Sequence, residues 1–259
     1  MTGLALLLLF VVVAVLAPWV APYSPTKMSI SEILSKPSWR HPLGTDDFGR
    51  DVLSRLIYGA RVSLRVGFSV SLLSGVLGTF VGLMAAYYRR LDNLLMRIMD
   101  TMLAFPAILL AIALMAVFGP SELNAILALS IVYLPRTARV CRSQVLAVKE
   151  ENYVEAARAS GAGDARILRN HILPNVLAAL IVQQTLIFAM AILVEAALSF
   201  LGVGTPPPAP SWGNILNESR DFLRVAPWTS LASGSVIVLV VLAINLLGDS
   251  LRDVLDPKL

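Results

Sequence analysis

The chain has 259 residues, of which 57% are hydrophobic and only 15% charged, and its mean hydropathy is +0.75. Soluble domains carry about 25% charged residues, so this composition excludes an ordinary soluble fold. It predicts instead an all-α polytopic membrane protein. The net charge of +4 suits basic loops facing anionic lipid or the cytoplasm. No basic stripe interleaved with aromatics occurs, which excludes nucleic acid as a partner. The single Cys141 cannot form an internal disulfide and says nothing about redox compartment.

Apolar blocks over 3–21, 66–88, 98–118, 122–140, 176–201 and 229–248 predict about six spans. The first contains the unbroken run Leu4–Ala17, with Pro18, Trp19 and Pro22 at its interfacial end. A cleaved signal peptide needs a basic leader, which is missing, and Ala17-Pro18 is a poor cleavage site, so an uncleaved span is favoured. In the connection that follows, HPLGTDDFGRDVLSRLIYGARVSL (41–64), Gly44 and Gly49 permit turns and Asp47 is placed to cap a helix. Val52, Leu53, Leu56, Ile57 and Ala60 recur at helical spacing, with Arg50, Arg55 and Arg61 on other faces. That pattern predicts a short amphipathic helix lying on the membrane interface, either a brace or a docking element.

Span two carries Gly67, Ser71 and Gly75 and, one face over, Ser74, Gly78 and Gly82. Small residues four apart let helices approach closely in lipid, a scaffold role. After spans three and four comes a polar, basic island. Within it, Glu151–Ser160 reads as a helix rich in alanine, and Gly161 reads as its stop in the left-handed conformation. Asp164 is placed to cap a second helix, with Ile167, Leu168 and His171 on one side and Pro174 closing it. A helix–Gly–helix elbow between two spans suits a grip from outside the bilayer.

Span five holds Gln183, Gln184 and Glu195. A carboxylate within a span is costly and is a functional candidate by default. Glu195 lies about two turns from the end of the span and is a pathway-lining candidate; helix–helix hydrogen bonding is the equal alternative. The loop GVGTPPPAPSWGN (202–214) is too proline-rich for helix or central strand, and Trp212 reads as an interface anchor. Near the C-terminus, Asp249 in NLLGDSLRDVLDPKL is expected to cap or exit at the membrane surface. GAGDARIL lacks the Lys of a phosphate-binding loop, and His41 and His171 stand alone on opposite sides of the membrane, so no metal site, catalytic set or enzyme activity is expected.

The elbow resembles the coupling loop of ABC-importer permeases, in which EAA, three residues, Gly, nine residues, an apolar residue, one residue and Leu-Pro recur. Glu155, Ala156, Ala157, Gly161, Leu173 and Pro174 stand at those positions, while His171 replaces the apolar residue. That variant, with 41–64, LVEAALSFLG, the proline-rich loop and the C-terminal run, resembles the dipeptide, oligopeptide and nickel branch. The resemblance implies an ATP-driven importer, most naturally of di- or oligopeptides, with nickel or another small solute as the alternative. Its implied partners are a second homologous permease subunit, two cytoplasmic ATPase subunits that bind ATP and Mg, and an extracytoplasmic solute-binding protein. The implied division is a first transmembrane helix over 1–22, an external loop over 23–65 and a five-helix permease core over 66–259, its coupling loop at 142–175.

Relatives carry a basic leader before the first span, whereas this chain starts inside it, so native and truncated starts both fit. Arg89, Arg90 and Arg97 in one loop and seven Arg and Lys in the 135–175 island place both loops, and both termini, in the cytoplasm of a prokaryotic inner membrane. Lys27, Lys36, Arg40, Arg50, Arg55, Arg61 and Arg65 in the external loop run against that rule. A proton-coupled secondary transporter using Glu195 is a different class, but no inverted repeat or matched second acid accompanies it. A non-transporting membrane scaffold is another.

Overall fold

The computed structural model describes residues 2–255, and these are helical with no β-strand beyond one isolated bridge, Thr45 with Asp51. The chain opens with α1 (Thr2–Val15) and the single turn α2 (Ala17–Val20), followed by an irregular stretch to residue 51. The next helix, α3 (Val52–Tyr87), is 36 residues long. It starts where Asp51 accepts from the Ser54 backbone N–H at 2.7 Å, so Asp51, not Asp47, is the cap. The amphipathic helix expected on the interface is the first part of this same helix. Val52, Leu56 and Ala60 are buried in a cluster with Ile192, Ala196 and Trp212, so its apolar face is covered by protein, not lipid.

Two helices replace the single span expected over 98–118: α4 (Arg89–Leu103) and α5 (Ala107–Phe118) meet at 94°. Pro106 disfavours helical geometry at Phe105 and donates no hydrogen bond, which breaks the segment there. Gly119, at φ +82°, then turns the chain into α6 (Glu122–Val148), capped by the Ser121 hydroxyl on the Asn124 N–H at 3.0 Å. The elbow follows as α7 (Asn152–Ala159) and α8 (Asp164–Ile167), then a π-turn over Leu168–Ile172 and the long α9 (Leu173–Phe200). Last come α10 (Trp212–Ser219) and α11 (Pro227–Leu255). Asp249 is exposed in the body of α11 and caps nothing. The end of the C-terminal signature, 256–259, lies outside the described residues.

Three helices, α3, Asp164–Phe200 taken together, and α11, are long and apolar enough to cross a membrane; the bent pair α4–α5 makes a fourth candidate. The spine of the fold is α3, packed against α6 on one side and α9 on the other, and the two glycine stripes explain how. A Cβ added at Gly67 meets Ile192 and Phe188 of α9 at 2.7 Å. At Gly78 it meets Thr137 Cβ of α6 at 2.6 Å, and at Gly82 the Ala138 carbonyl at 2.6 Å. Each stripe therefore serves a different neighbour, and backbones touch where a side chain would hold them apart. Ser71 adds a hydroxyl bond to the Gln184 carbonyl at 2.9 Å, and Gln184 Nε2 donates to Thr137 Oγ1 at 3.0 Å.

Candidate functional site

At the elbow, Asn152–Ala159 forms the expected first helix and Gly161 takes φ +82°, ending it in the left-handed region. The underside is apolar. Val154, Ile167, Ile172, Val176 and Leu180 are buried in a cluster with Ala86 of α3 and Cys141 and Val145 of α6. The upper surface is open: Glu155, Ala156, Gly161 and Pro174 are exposed, and Ala157 and Leu173 half-buried. A small-residue helix thus presents a carboxylate to solvent while its root is fixed in the core.

Three details of the elbow differ from expectation. Gly163, not Asp164, is the residue before the second helix; the Asp164 carboxylate instead accepts a hydrogen bond from the Tyr87 hydroxyl at 2.7 Å. Pro174 does not close a helix but lies in the first turn of α9, where its missing N–H costs least. The π-turn before it makes this continuity feasible, with the Leu173 N–H reaching back five residues to the Leu168 carbonyl. The π-turn also moves the buried stripe to Ile167 and Ile172, leaving Leu168 and His171 only half-buried.

At the far end of α3, the connection expected to be external is folded onto the helices by polar contacts. His41 Nδ1 pairs with Asp51 Oδ1 at 2.8 Å, and its ring stacks on Tyr23 at 4.8 Å. Gly44 and Gly49 make turns at φ +72° and +70°. Arg50 bonds Asp46 at 2.7 Å and Glu218 of α10 at 2.6 Å; Arg55 bonds the same two carboxylates. Asp47 joins this group less tightly, 3.7 Å from Arg50, and burial followed by the nearby Asp46 charge raises its pKa. Oxygens of Asp46, Asp47 and Glu218 lie within 4.8 Å of one another, but the two guanidinium groups supply their compensating charge.

Glu195 is wholly buried beside this cap. Its carboxylate accepts from Ser199 Oγ at 2.8 Å and Ser63 Oγ at 3.2 Å, which joins α9 to α3. Trp212, expected at the interface, is also fully buried, its indole N–H donating to the Leu56 carbonyl at 3.1 Å. Gly59 on α3 and Gly213 on α10 leave the room for this close approach. Away from Glu195, an open apolar groove of about 1160 Å³ runs between α1, α3 and α9. Phe68, Leu72, Leu177 and Ile181 line it, with Arg61 and Arg65 toward one end and Leu173 of the elbow toward the other.

A helical bundle of apolar helices, with glycine-mediated packing and a polar elbow projecting between two long helices, defines a membrane-embedded transport component. The chain belongs to the family of binding-protein-dependent transport system inner membrane components, whose model matches residues 78–259. Residues 1–37 match the N-terminal transmembrane domain of oligopeptide transport permease C. Among curated relatives, a putative peptide transport system permease protein of Brucella suis is 52% identical, covering 99% of this chain and 87% of that protein. The dipeptide transport system permease protein DppC of Alkalihalophilus pseudofirmus is 50% identical over 99% of this chain and 85% of its own length. DppC of Escherichia coli is 48% identical, covering 99% of this chain and 88% of that protein. Among solved structures, the inward-facing MetNI methionine ABC transporter aligns at TM-score 0.66 and 21% identity, over 79% of this chain and 97% of the other. The homologues are thus dipeptide and peptide ABC transporter permease subunits, and the shared fold is that of ABC importer permeases.

Proposed function

We propose that this chain forms one half of the translocation pathway of an ATP-driven importer of di- or oligopeptides in a prokaryotic inner membrane, crossing it six times with both termini cytoplasmic. The carrying observation is the elbow: a rigidly rooted, solvent-facing helix with Glu155, Ala156, Ala157 and Gly161 exposed or half-buried, directly continuous through Leu173 and Pro174 with α9. Force applied there is delivered to a helix that runs the length of the bundle. ATP and Mg belong to two partner ATPase subunits, which press on this elbow. A solute-binding protein delivers the peptide on the opposite side, and a second homologous permease covers the apolar groove. Full-length relatives that transport dipeptides support the substrate over nickel or another solute.

Arg50 and Arg55 each bond Asp46 and Glu218 within the fold; the external placement of the 23–65 connection rests on its length, which weighs less on topology than the short basic loops. The geometry of Glu195 favours helix–helix bonding over pathway lining, since both carboxylate oxygens are engaged and the side chain is outside the groove. Co-purification with the second permease and ATPase subunits tests the assignment. Reconstituted with the binding protein, the complex should hydrolyse ATP faster when a dipeptide is added. A complex stimulated by nickel and not by peptides, or no complex at all, overturns it.

A further inference from the structure

The elbow touches the rest of the chain through apolar packing and through Arg158 lying near Tyr87. Among the described residues, two side-chain hydrogen bonds also reach residues 152–172 from outside them: a local one, from Asn175 Nδ2 to the His171 carbonyl at 2.7 Å, and one from a distant segment. The distant one is the Tyr87 hydroxyl donating to Asp164 Oδ1 at 2.7 Å, across 77 residues of sequence. Tyr87 is the last residue of α3 and Asp164 the first of α8. The apolar cluster that holds Val154, Ile167 and Ala86 roots the elbow but is non-directional, so it does not by itself select one angle. A hydrogen bond to a carboxylate has a preferred angle and is among the stronger ones. The Tyr87–Asp164 bond is therefore the contact that sets the angle of the elbow on α3. Just before the elbow, Lys149 Nζ also reaches the Ala86 carbonyl at 3.3 Å, which places the end of α3 at the root of the elbow from both sides.

We propose that Tyr87 is a positioning residue for energy coupling: through Asp164 it fixes the elbow to the end of α3, so that a push on the elbow moves α3 together with α9. This rests on the coupling role assigned to the elbow above. The consequence is specific, because α3 carries both glycine stripes and thereby holds α6 as well as α9. Without the bond, the same push reaches α3 only through its packing on α9, and ATP is hydrolysed with less transport.

The test uses the full complex with its ATPases and binding protein in liposomes, reading dipeptide uptake per ATP hydrolysed, with the yield of monodisperse complex as the separate measure of folding. Tyr87→Phe keeps the ring and removes the hydroxyl; Asp164→Ala removes the acceptor; Asp164→Asn retains an acceptor oxygen. Uptake per ATP should fall roughly fivefold for Tyr87→Phe and for Asp164→Ala, the factor that a solvent-exposed hydrogen bond to a carboxylate supplies. The pair combined should fall no further, and Asp164→Asn, with a neutral acceptor, should recover part of the ratio. An unchanged ratio in Tyr87→Phe, additive losses, or an Asp164→Asn variant as impaired as Asp164→Ala overturns the proposal. Glu155→Lys is measured alongside. If it lowers uptake per ATP while Tyr87→Phe does not, Tyr87 alone has been misassigned; if neither does, the elbow itself is not the coupling element.

Discussion

Replacing Glu195 separates a carboxylate that carries transport from one that carries packing. In Glu195→Ala, the hydroxyls of Ser63 and Ser199 both lose their acceptor inside the bundle. An abandoned buried donor costs about 1–3 kcal/mol, but each serine is helical and can turn to the carbonyl four residues back, which keeps both near the lower figure. The vacated side-chain volume adds roughly 1 kcal/mol. The expected loss is therefore about 2–4 kcal/mol, seen as lower membrane abundance and earlier thermal unfolding in detergent. In Glu195→Gln, the volume is kept and the shorter bond, from Ser199 at 2.8 Å, still finds an oxygen. Only the longer one, from Ser63 at 3.2 Å, has to reverse its direction. That is a change of about 1 kcal/mol or less. The assay is dipeptide uptake at matched membrane abundance, beside an unfolding curve for each variant. Near-normal uptake in Gln with an unstable Ala variant is expected. A Gln variant that unfolds normally and transports nothing refutes the packing argument and restores Glu195 to the pathway.

Gly161→Val forces φ +82° on a β-branched residue with open space around it, so backbone strain of roughly 1–2 kcal/mol is the whole effect. Uptake should be lost with membrane insertion intact, and full uptake counts against the coupling elbow. Gly78→Leu drives side-chain atoms into Thr137 and the Leu134 carbonyl and should abolish stable protein in a detergent unfolding assay; Gly75→Ala, 3.1 Å from the movable Gln184 side chain, should cost little. Asp47→Asn should stabilise the cap at neutral pH by about 1 kcal/mol or less, since Asp47 is partly solvent-screened. Its folded pKa is raised, so the stability it contributes is whole below the unfolded pKa and falls as pH rises through the folded one. The advantage of Asn should therefore vanish on acidification, as unfolding curves at several pH values will read. Single cysteines at the exposed Thr26 and Ala209 should react with an impermeant reagent from outside and one at Gly163 only from inside, and the reverse pattern at Gly163 removes the transport assignment.

The elbow and the glycine stripes were legible because each depends on neighbours a few residues away: Gly161 after an alanine helix, Gly67, Gly78 and Gly82 at helical spacing. What escaped depends on distant chain. Nothing within 50–65 shows that Arg55 pairs with Glu218, 163 residues on, so a protein-covered helix start looked like an interfacial one. Trp212 escaped likewise, since the carbonyl that receives its indole N–H belongs to Leu56. The break at 104–106 is a different case. Pro106 was visible, and the unbroken hydropathy around it outweighed a signal that backbone chemistry made decisive. Pro174 shows the converse: a proline expected to stop a helix sits where one begins.

The π-turn stores one residue of chain length that a plain α-helix between the elbow and α9 would not need. Ile167, Ile172, Val176 and Leu180 lie buried in one cluster at intervals of five, four and four residues. The interval of five is out of phase with an α-helix, and only the wider turn over Leu168–Ile172 brings Ile167 back under α9. Removing one residue there, even the exposed Arg169 or Asn170, lets the segment relax to plain α-helix with every remaining side chain unchanged. Ile167 and Ile172 then stand four apart, in phase with Val176 and Leu180, and α7 and α8 keep their direction. Relaxing the π-turn at full length, or adding a residue to it, turns α7 and α8 by about 100° about the axis of α9 and points Glu155 away from whatever grips it. A deletion at either of these two exposed positions is therefore absorbed; an insertion is not.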